Sequence, residues 1–364
     1  MKFKTACLAA SMAAAGMVTF GAAHAQSSVT LYGIVDVSLE AYNNAPDGAG
    51  GSKTTTGMRS GGLSGSRWGL RGSEDLGNGM KAIFQLESGF NLGTGNGDGR
   101  MFQRTAMAGI QAPWGKLTFG RQYTPSFTMY GRYVPGAYGA QYEPVPRIMP
   151  VRTDNAVLYS HEVAGFNVGV YYSFRNQTDQ QAYDMSPTGA WGGAIGYNVG
   201  QTFGVMAAFD RTNQPAVAPG LRTTGKTDNY GVGARFAIDN FRVLGGWRQR
   251  KVEQLGTSDI KSDFFMVGAG YQVNPLTGVG IAYYHERFKN APDGYLGTTK
   301  NKWHQVSLLA SYGLSKRTNL YAVAAHSRNG PLNLGHAGDQ STPYALGADK
   351  SNQTGGAIGM RHMF

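Results

Sequence analysis

The sequence predicts an all-β fold, a 16-stranded antiparallel transmembrane β-barrel with its third long loop folded into the lumen. Three observations lead there. Apolar and polar residues alternate with period two through segments longer than an ordinary strand. The connections between these segments are short and long by turns, and after the N-terminal leader no stretch reaches the roughly 20 apolar residues a spanning helix needs. A mean hydropathy of -0.31 fits, because barrel strands alternate lipid-facing with water-facing residues and average out polar. The 54 glycines in 364 residues, with 12% aromatics, suit tight strand packing and aromatic girdles better than helices.

The chain opens with Lys2 and Lys4, an apolar run from Ala6 to Ala23, and Ala23-His24-Ala25 before Gln26. A charged n-region, an h-region and a small-x-small site make residues 1–25 a secretory signal peptide and 26–364 the barrel domain. The one cysteine, Cys7, falls in the leader, so neither a lipid-anchored nor a disulfide-stapled domain is expected. Without Lys2 and Lys4 the chain keeps 31 basic residues against 22 acidic, a net charge of about +9. Export argues against nucleic acid as the partner of that charge. Small anionic ions and solutes, or anionic lipid head groups, remain.

The first segment, 29–41, sets the period. Val29, Leu31, Val35, Val37 and Leu39 share one face with Gly33, while Thr30, Tyr32, Asp36, Ser38 and Glu40 share the other, with Ile34 as the exception. Strands are then expected at 64–75, 80–91, 102–112, 116–122, 153–163, 166–175, 191–199 and 202–211. The rest fall at 228–238, 241–252, 261–273, 276–288, 301–313, 317–328 and 353–364. Short turns between them alternate with long polar segments at 43–63, 92–101, 123–152, 176–190, 212–227, 253–260, 289–300 and 329–352. In an up-and-down barrel this parity puts every short turn at one end, and an even count brings both termini to that end. Closure also pairs the backbone groups that lipid cannot satisfy. A soluble β-sandwich gives no reason for such parity.

Several of these residues resemble a family. SSVTLYGIVDVSLEAYNN, SRWGLRGSEDLGNGMKAIFQLESGF, LTFGRQYTPSF and the terminal GMRHMF together resemble the general Gram-negative porins, most closely the β-proteobacterial type, over essentially all of the chain after the leader. The resemblance implies a homotrimer of barrels in the outer membrane, set among its lipid and lipopolysaccharide, with periplasmic termini and a constriction loop at 123–152, the third long segment. It also implies that Phe364, ending a strand whose Ile358, Met360 and His362 share its face, is an assembly signal read by the barrel-assembly machinery.

Charge defines the candidate site. Trp68 and Leu70 mark an outward face, so Arg67, Gly69 and Arg71 point inward; a one-residue slip would set two arginines in lipid at roughly 2–4 kcal/mol each. Arg104 is read as out of phase with Thr105 and Met107, and Arg152 precedes the sixth alternation. By resemblance Arg67, Arg71, Arg104 and Arg152 form the basic wall of the constriction, with Arg121 beside them. The loop itself departs from the family pattern. Val134-Pro135-Gly136 stands where many relatives carry acids, and Arg132 and Arg147 are opposed by Glu143 alone. Summed positive charge favours anions. The competing reading is that the arginines pair with inward acids such as Asp36, Glu40 and Glu87 and hold the loop. Tyr123 and Tyr133 either line the passage or pack the loop to the wall.

Other chemistry is weak. Gly220 to Thr227 matches G-x4-G-K-T, but the strand-like DNYGVGARFAI follows where a phosphate-binding loop needs a helix. The histidines sit on separate segments, with no G-x-S-x-G and no H-E-x-x-H, so neither catalysis, a metal nor a cofactor is expected. The expectation is a passive diffusion channel for small hydrophilic solutes, selective for anions. A solute-specific channel, a plugged structural or adhesin barrel and, last, a barrel enzyme are the alternatives.

Overall fold

A computed structural model describes residues 28–97, 99–136, 141–144, 148–174, 189–213, 225–253, 258–335 and 344–364. The leader 1–25, Arg147 and the P-loop-like match, apart from its last three residues, lie outside these. The chain forms β1 (Ser28–Pro46), β2 (Ser52–Ser60), β3 (Arg67–Gly77), β4 (Met80–Gly89), β5 (Thr105–Ala112) and β6 (Gly115–Tyr123). A short helix, α1 (Pro125–Tyr130), precedes β7 (Arg152–Val163), β8 (Phe166–Ser173), β9 (Ala190–Val199), β10 (Phe203–Asn213) and β11 (Lys226–Ile238). The chain ends with β12 (Phe241–Val252), β13 (Ile260–Asn274), β14 (Thr277–Lys289), β15 (Lys302–Gly313), β16 (Thr318–Arg328) and β17 (Asn352–Met363).

Neighbours pair antiparallel throughout, and β17 returns to β1 from Ile34↔Met363 to Tyr42↔Gly355, so the sheet is closed. The seventeen segments make sixteen staves. On its other edge β1 pairs with β3 through its first half and with β2 through its second. The second stave is therefore broken at 61–66. Its hinge is held by Asp36, whose carboxylate accepts the N–H groups of Gly62, Leu63 and Ser64 at 3.0, 2.9 and 2.7 Å. Gly61 there has φ 85°, a left-handed backbone that favours glycine.

This corrects one expectation. Residues 52–60 do not belong to a loop at 43–63, and the connection above them shrinks to 47–51. The run SKTTTGMRS has too little apolar content for its alternation to show, yet Met58 points outward and Arg59 inward to Glu40.

The barrel is apolar outside and polar within. On β1 the outward Val29 and Leu39 are 66% and 61% exposed, while the inward Asp36 and Glu40 are 0% and 4% exposed. Aromatics ring the outer surface near both ends. Phe166, Tyr197, Phe236 and Tyr271 lie toward the short turns, and Trp191, Tyr230, Phe265 and Tyr283 toward the long connections, with Ile195, Val232, Val267 and Ile281 between. That is the banding of a strand crossing a bilayer.

Candidate functional site

Seven wall and loop side chains converge on the inner face. Glu87 of β4 accepts Nε of Arg104 at 2.7 Å and the Tyr32 hydroxyl at 2.9 Å, and Nη1 of Arg67 lies 3.8 Å from it. Tyr123, at the end of β6, receives Nη2 of Arg104 at 2.9 Å and Nη2 of Arg152 at 2.5 Å on its hydroxyl. The Arg152 guanidinium also sits 4.3 Å from the Tyr123 ring centroid, and that ring stacks on Phe127 of α1 at 5.4 Å. Arg71 joins one step along β3, its guanidinium 5.2 Å from the Tyr32 ring centroid. Two guanidinium groups thus meet the Glu87 carboxylate, and phenol rings hold Arg71 and Arg152 beside them.

Arg104 reaches this group by a different route from the one its spacing suggests. It precedes the first paired residue of β5, in a bend where its N–H meets the Glu87 carbonyl at 3.2 Å, so strand phase does not govern it. Within β5 the inward residues are Thr105 and Met107, which line an internal cavity, and the outward one is Ile110; the phase is the reverse of that expected.

Arg121 lies apart. It pairs with Asp154, which also accepts Nη1 of Arg100 at 2.8 Å. Arg132 lines a cavity of about 690 Å³ together with Gln85, Thr118, Gln122 and Tyr123, and its own polar contacts are Asn167 at 3.2 Å and Glu162 at 3.9 Å. Glu143 lies away from Arg67, Arg104 and Arg152, and its expected partner Arg147 falls outside the described residues. Glu143 is buried against β14, where its Oε1 accepts the Tyr284 hydroxyl and the Gly136 N–H at 2.8 Å each. An acid in a loop of tyrosines is drawn to the hydroxyl donors that offset its desolvation.

The segment after β6 lies on the inner wall, and wall glycines make its seat. Thr124 caps α1, accepting the Phe127 N–H at 3.1 Å, with Pro125 in the first turn. Tyr130 is fully buried over Gly231 and Gly246, and its hydroxyl meets the carbonyls of Val232 and Trp247 at 2.8 Å each. Tyr133 covers Gly233 and bonds the Val205 carbonyl at 3.0 Å, and Pro135 covers Gly268. A Cβ would come 2.5 Å from Met149 and 2.8 Å from Tyr130 at Gly231, 2.5 Å from Tyr130 at Gly246 and 2.6 Å from Pro135 at Gly268. Burial holds the hydroxyls of Tyr130 and Tyr133 above the ordinary tyrosine range, so both stay neutral donors.

Some of this was readable and some not. Alternation places Tyr32 and Glu87 inward, and Glu87 is one of the three acids, with Asp36 and Glu40, offered as arginine partners. That Tyr123 would bridge Arg104 and Arg152 has no local signal, because they come from three separate elements.

Comparison with known proteins follows the geometry. The family described as Gram-negative porin matches residues 9–331. An outer membrane porin protein of Bordetella pertussis is 33% identical, over 87% of this chain and 94% of its own length. Outer membrane porin protein 32 of Delftia acidovorans is 31% identical, over 97% and 99%. Among solved structures, the anion-selective porin from Comamonas acidovorans superposes with a TM-score of 0.72 at 27% identity, covering 93% of this chain and 100% of that one. The trimer form of OmpT from Vibrio cholerae, at 18% identity and a TM-score of 0.68, shares the fold.

Proposed function

The chain belongs to the Gram-negative porin family, and from that premise we propose that the arginines around Tyr123 make it a channel that favours anions. As a porin it is a passive channel of the outer membrane, with solutes moving down their own gradients. The observation that carries selectivity is the gathering of Arg67, Arg71, Arg104 and Arg152 about Glu87, Tyr32 and Tyr123 on the inner face. Beside low-dielectric walls, charges a few ångströms apart interact by more than the ~1 kcal/mol they would in bulk water. The likeness to the anion-selective porin from Comamonas acidovorans supports the same sign.

The segment 123–152 is the constriction loop of this reading, and its seat on the inner wall supports that role. The assembly is a homotrimer with periplasmic termini, and Phe364 is the signal for its insertion. We assign the chain no enzymatic activity, since its family and fold are those of a channel. Reversal potential across a salt gradient tests the proposal. Purified protein in planar bilayers should show a chloride-to-potassium permeability ratio above one; a ratio below one would overturn it.

A further inference from the structure

Sulfur is concentrated beneath the loop. Beyond residue 25 the chain has no cysteine, so thioethers are its only oxidisable sulfur there. Four of them meet in the seat: Met129 of α1 and Met149 from the loop, Met206 of β10 and Met266 of β13 from the wall, all in one buried cluster with Tyr130, Tyr133 and Val134. They fill space that wall glycines leave open. The Met129 sulfur lies 3.0 Å from where a Cβ at Gly196 would stand, and the Met206 Cβ lies 3.5 Å from the same point. The Met266 methyl comes 3.1 Å from that position at Gly246, beside the Tyr130 hydroxyl. Thioethers adapt well to such irregular gaps, but oxidation turns each into a polar, chiral sulfoxide.

The cavity of about 690 Å³ that Arg132 lines reaches one of the four. Met129 lines it together with Tyr123, Thr128 and Met107 of β5, whereas Met149, Met206 and Met266 do not. A small hydrophilic oxidant in the lumen thus meets this sulfur on the helix that opens the loop. A sulfoxide oxygen has no place over Gly196. That glycine pairs with Asn167 on one side and Met206 on the other, so its backbone groups are taken by the ladder. A polar group buried without a partner is costly, whereas the cavity side offers solvent and the Arg132 guanidinium. Turning toward them lifts the side chain off the wall and loosens α1.

We propose that Met129 is an oxidation site through which peroxide in the lumen unseats the loop. The Met129 sulfur lone pair attacks one oxygen of hydrogen peroxide and the O–O bond breaks. Sulfur gives up two electrons and keeps that oxygen as a sulfoxide, while the other oxygen leaves as water with both protons. Methionine sulfoxide reductase with a dithiol reverses the step: the oxygen leaves as water and the dithiol becomes a disulfide. The consequence for transport rests on the reading of 123–152 as the constriction of a channel, and the chemistry at Met129 does not.

The test treats the protein, purified in detergent, with graded hydrogen peroxide. Peptide mass spectrometry locates each sulfoxide, trypsin cleavage after Arg132 reports the loop, and planar bilayers report the current. Met101, 73% exposed, should oxidise first and change neither. Oxidation of Met129 should follow, raising cleavage severalfold and making the single-channel current erratic. Met129→Leu, which keeps the apolar volume and removes the sulfur, should resist both changes under the same treatment, and Met101→Leu should not. If the Met129→Leu barrel fails to assemble, the reductase decides in wild type: cleavage should return to its untreated level as the Met129 sulfoxide is repaired. Three results would overturn the proposal. They are a Met129 that stays a thioether until circular dichroism shows the barrel unfolded, a Met129→Leu protein cleaved as readily as oxidised wild type, and cleavage that outlasts the repair. An untreated protein that conducts no ions would instead sink the channel reading, and cleavage would still decide the role of Met129.

Discussion

Phe364 closes the barrel on Gly33: each N–H donates to the other's carbonyl oxygen at 3.0 Å, and the phenyl ring occupies the space a Cβ at position 33 would need. A Cβ there would lie 2.2 Å from the ring and 2.8 Å from the Arg67 carbonyl. Gly33→Val should therefore strain the seam by about 1–3 kcal/mol and lower the yield of folded barrel. Deleting Phe364 should lower it further, because the closing hydrogen bonds go with the ring. Heat-modifiable gel mobility measures both, and full yield from the deletion would refute the assembly role.

Selectivity should follow the arginines rather than the loop acid. Arg104→Gln with Arg152→Gln should cut the chloride-to-potassium permeability ratio severalfold, whereas Glu143→Gln, buried against Tyr284, should leave it nearly unchanged. The wild-type ratio should also fall between 0.1 M and 1 M salt, as the screening length shrinks from about 10 to about 3 Å. A ratio indifferent to the two arginines would remove the basis of the proposed selectivity.

A buried ion pair bears on stability rather than passage. Arg248 and Glu286 have fully buried side chains, with Nη2 to Oε1 at 3.0 Å, and Arg248 also donates to the Ser262 hydroxyl at 2.9 Å. Removing the acid leaves a buried guanidinium short of its counter-charge. Glu286→Gln should cost about 3–5 kcal/mol and lower the unfolding temperature measured by circular dichroism in detergent. A change within error would show that water reaches the pair.

Loop seating should depend on pH at the alkaline end. Burial raises the Tyr130 and Tyr133 hydroxyls above their ordinary value of 10.0. The seating they provide is fully present below that pH and is lost as pH rises through their folded values. Conductance should stay steady from pH 7 to about 10 and become erratic above it. Tyr130→Phe with Tyr133→Phe should abolish that transition at a cost of about 1–3 kcal/mol in loop docking.

The sequence carried the barrel further than it carried the site. Alternation on β1 was legible because outward Val29, Leu31 and Leu39 contrast with inward Asp36 and Glu40, and burial in lipid demands that contrast. It failed for β2, where threonines face both sides, and at Arg104, where a bend replaces the strand. The direction of Glu143 was hidden for another reason. A loop residue has no periodic constraint, and its partner Tyr284 lies 141 positions away.

The glycines beneath the loop bear on how permeability can change by mutation. Every single-base change in a glycine codon that alters the residue introduces a Cβ. At Gly231, Gly246 or Gly268 that carbon would enter the seat of Tyr130, Met149 or Pro135, while strand pairing through the backbone is kept. Cells selected for reduced uptake of a toxic solute thus have a short genetic route. One nucleotide can shift the loop within an assembled channel, without the loss of the protein that a frameshift would bring.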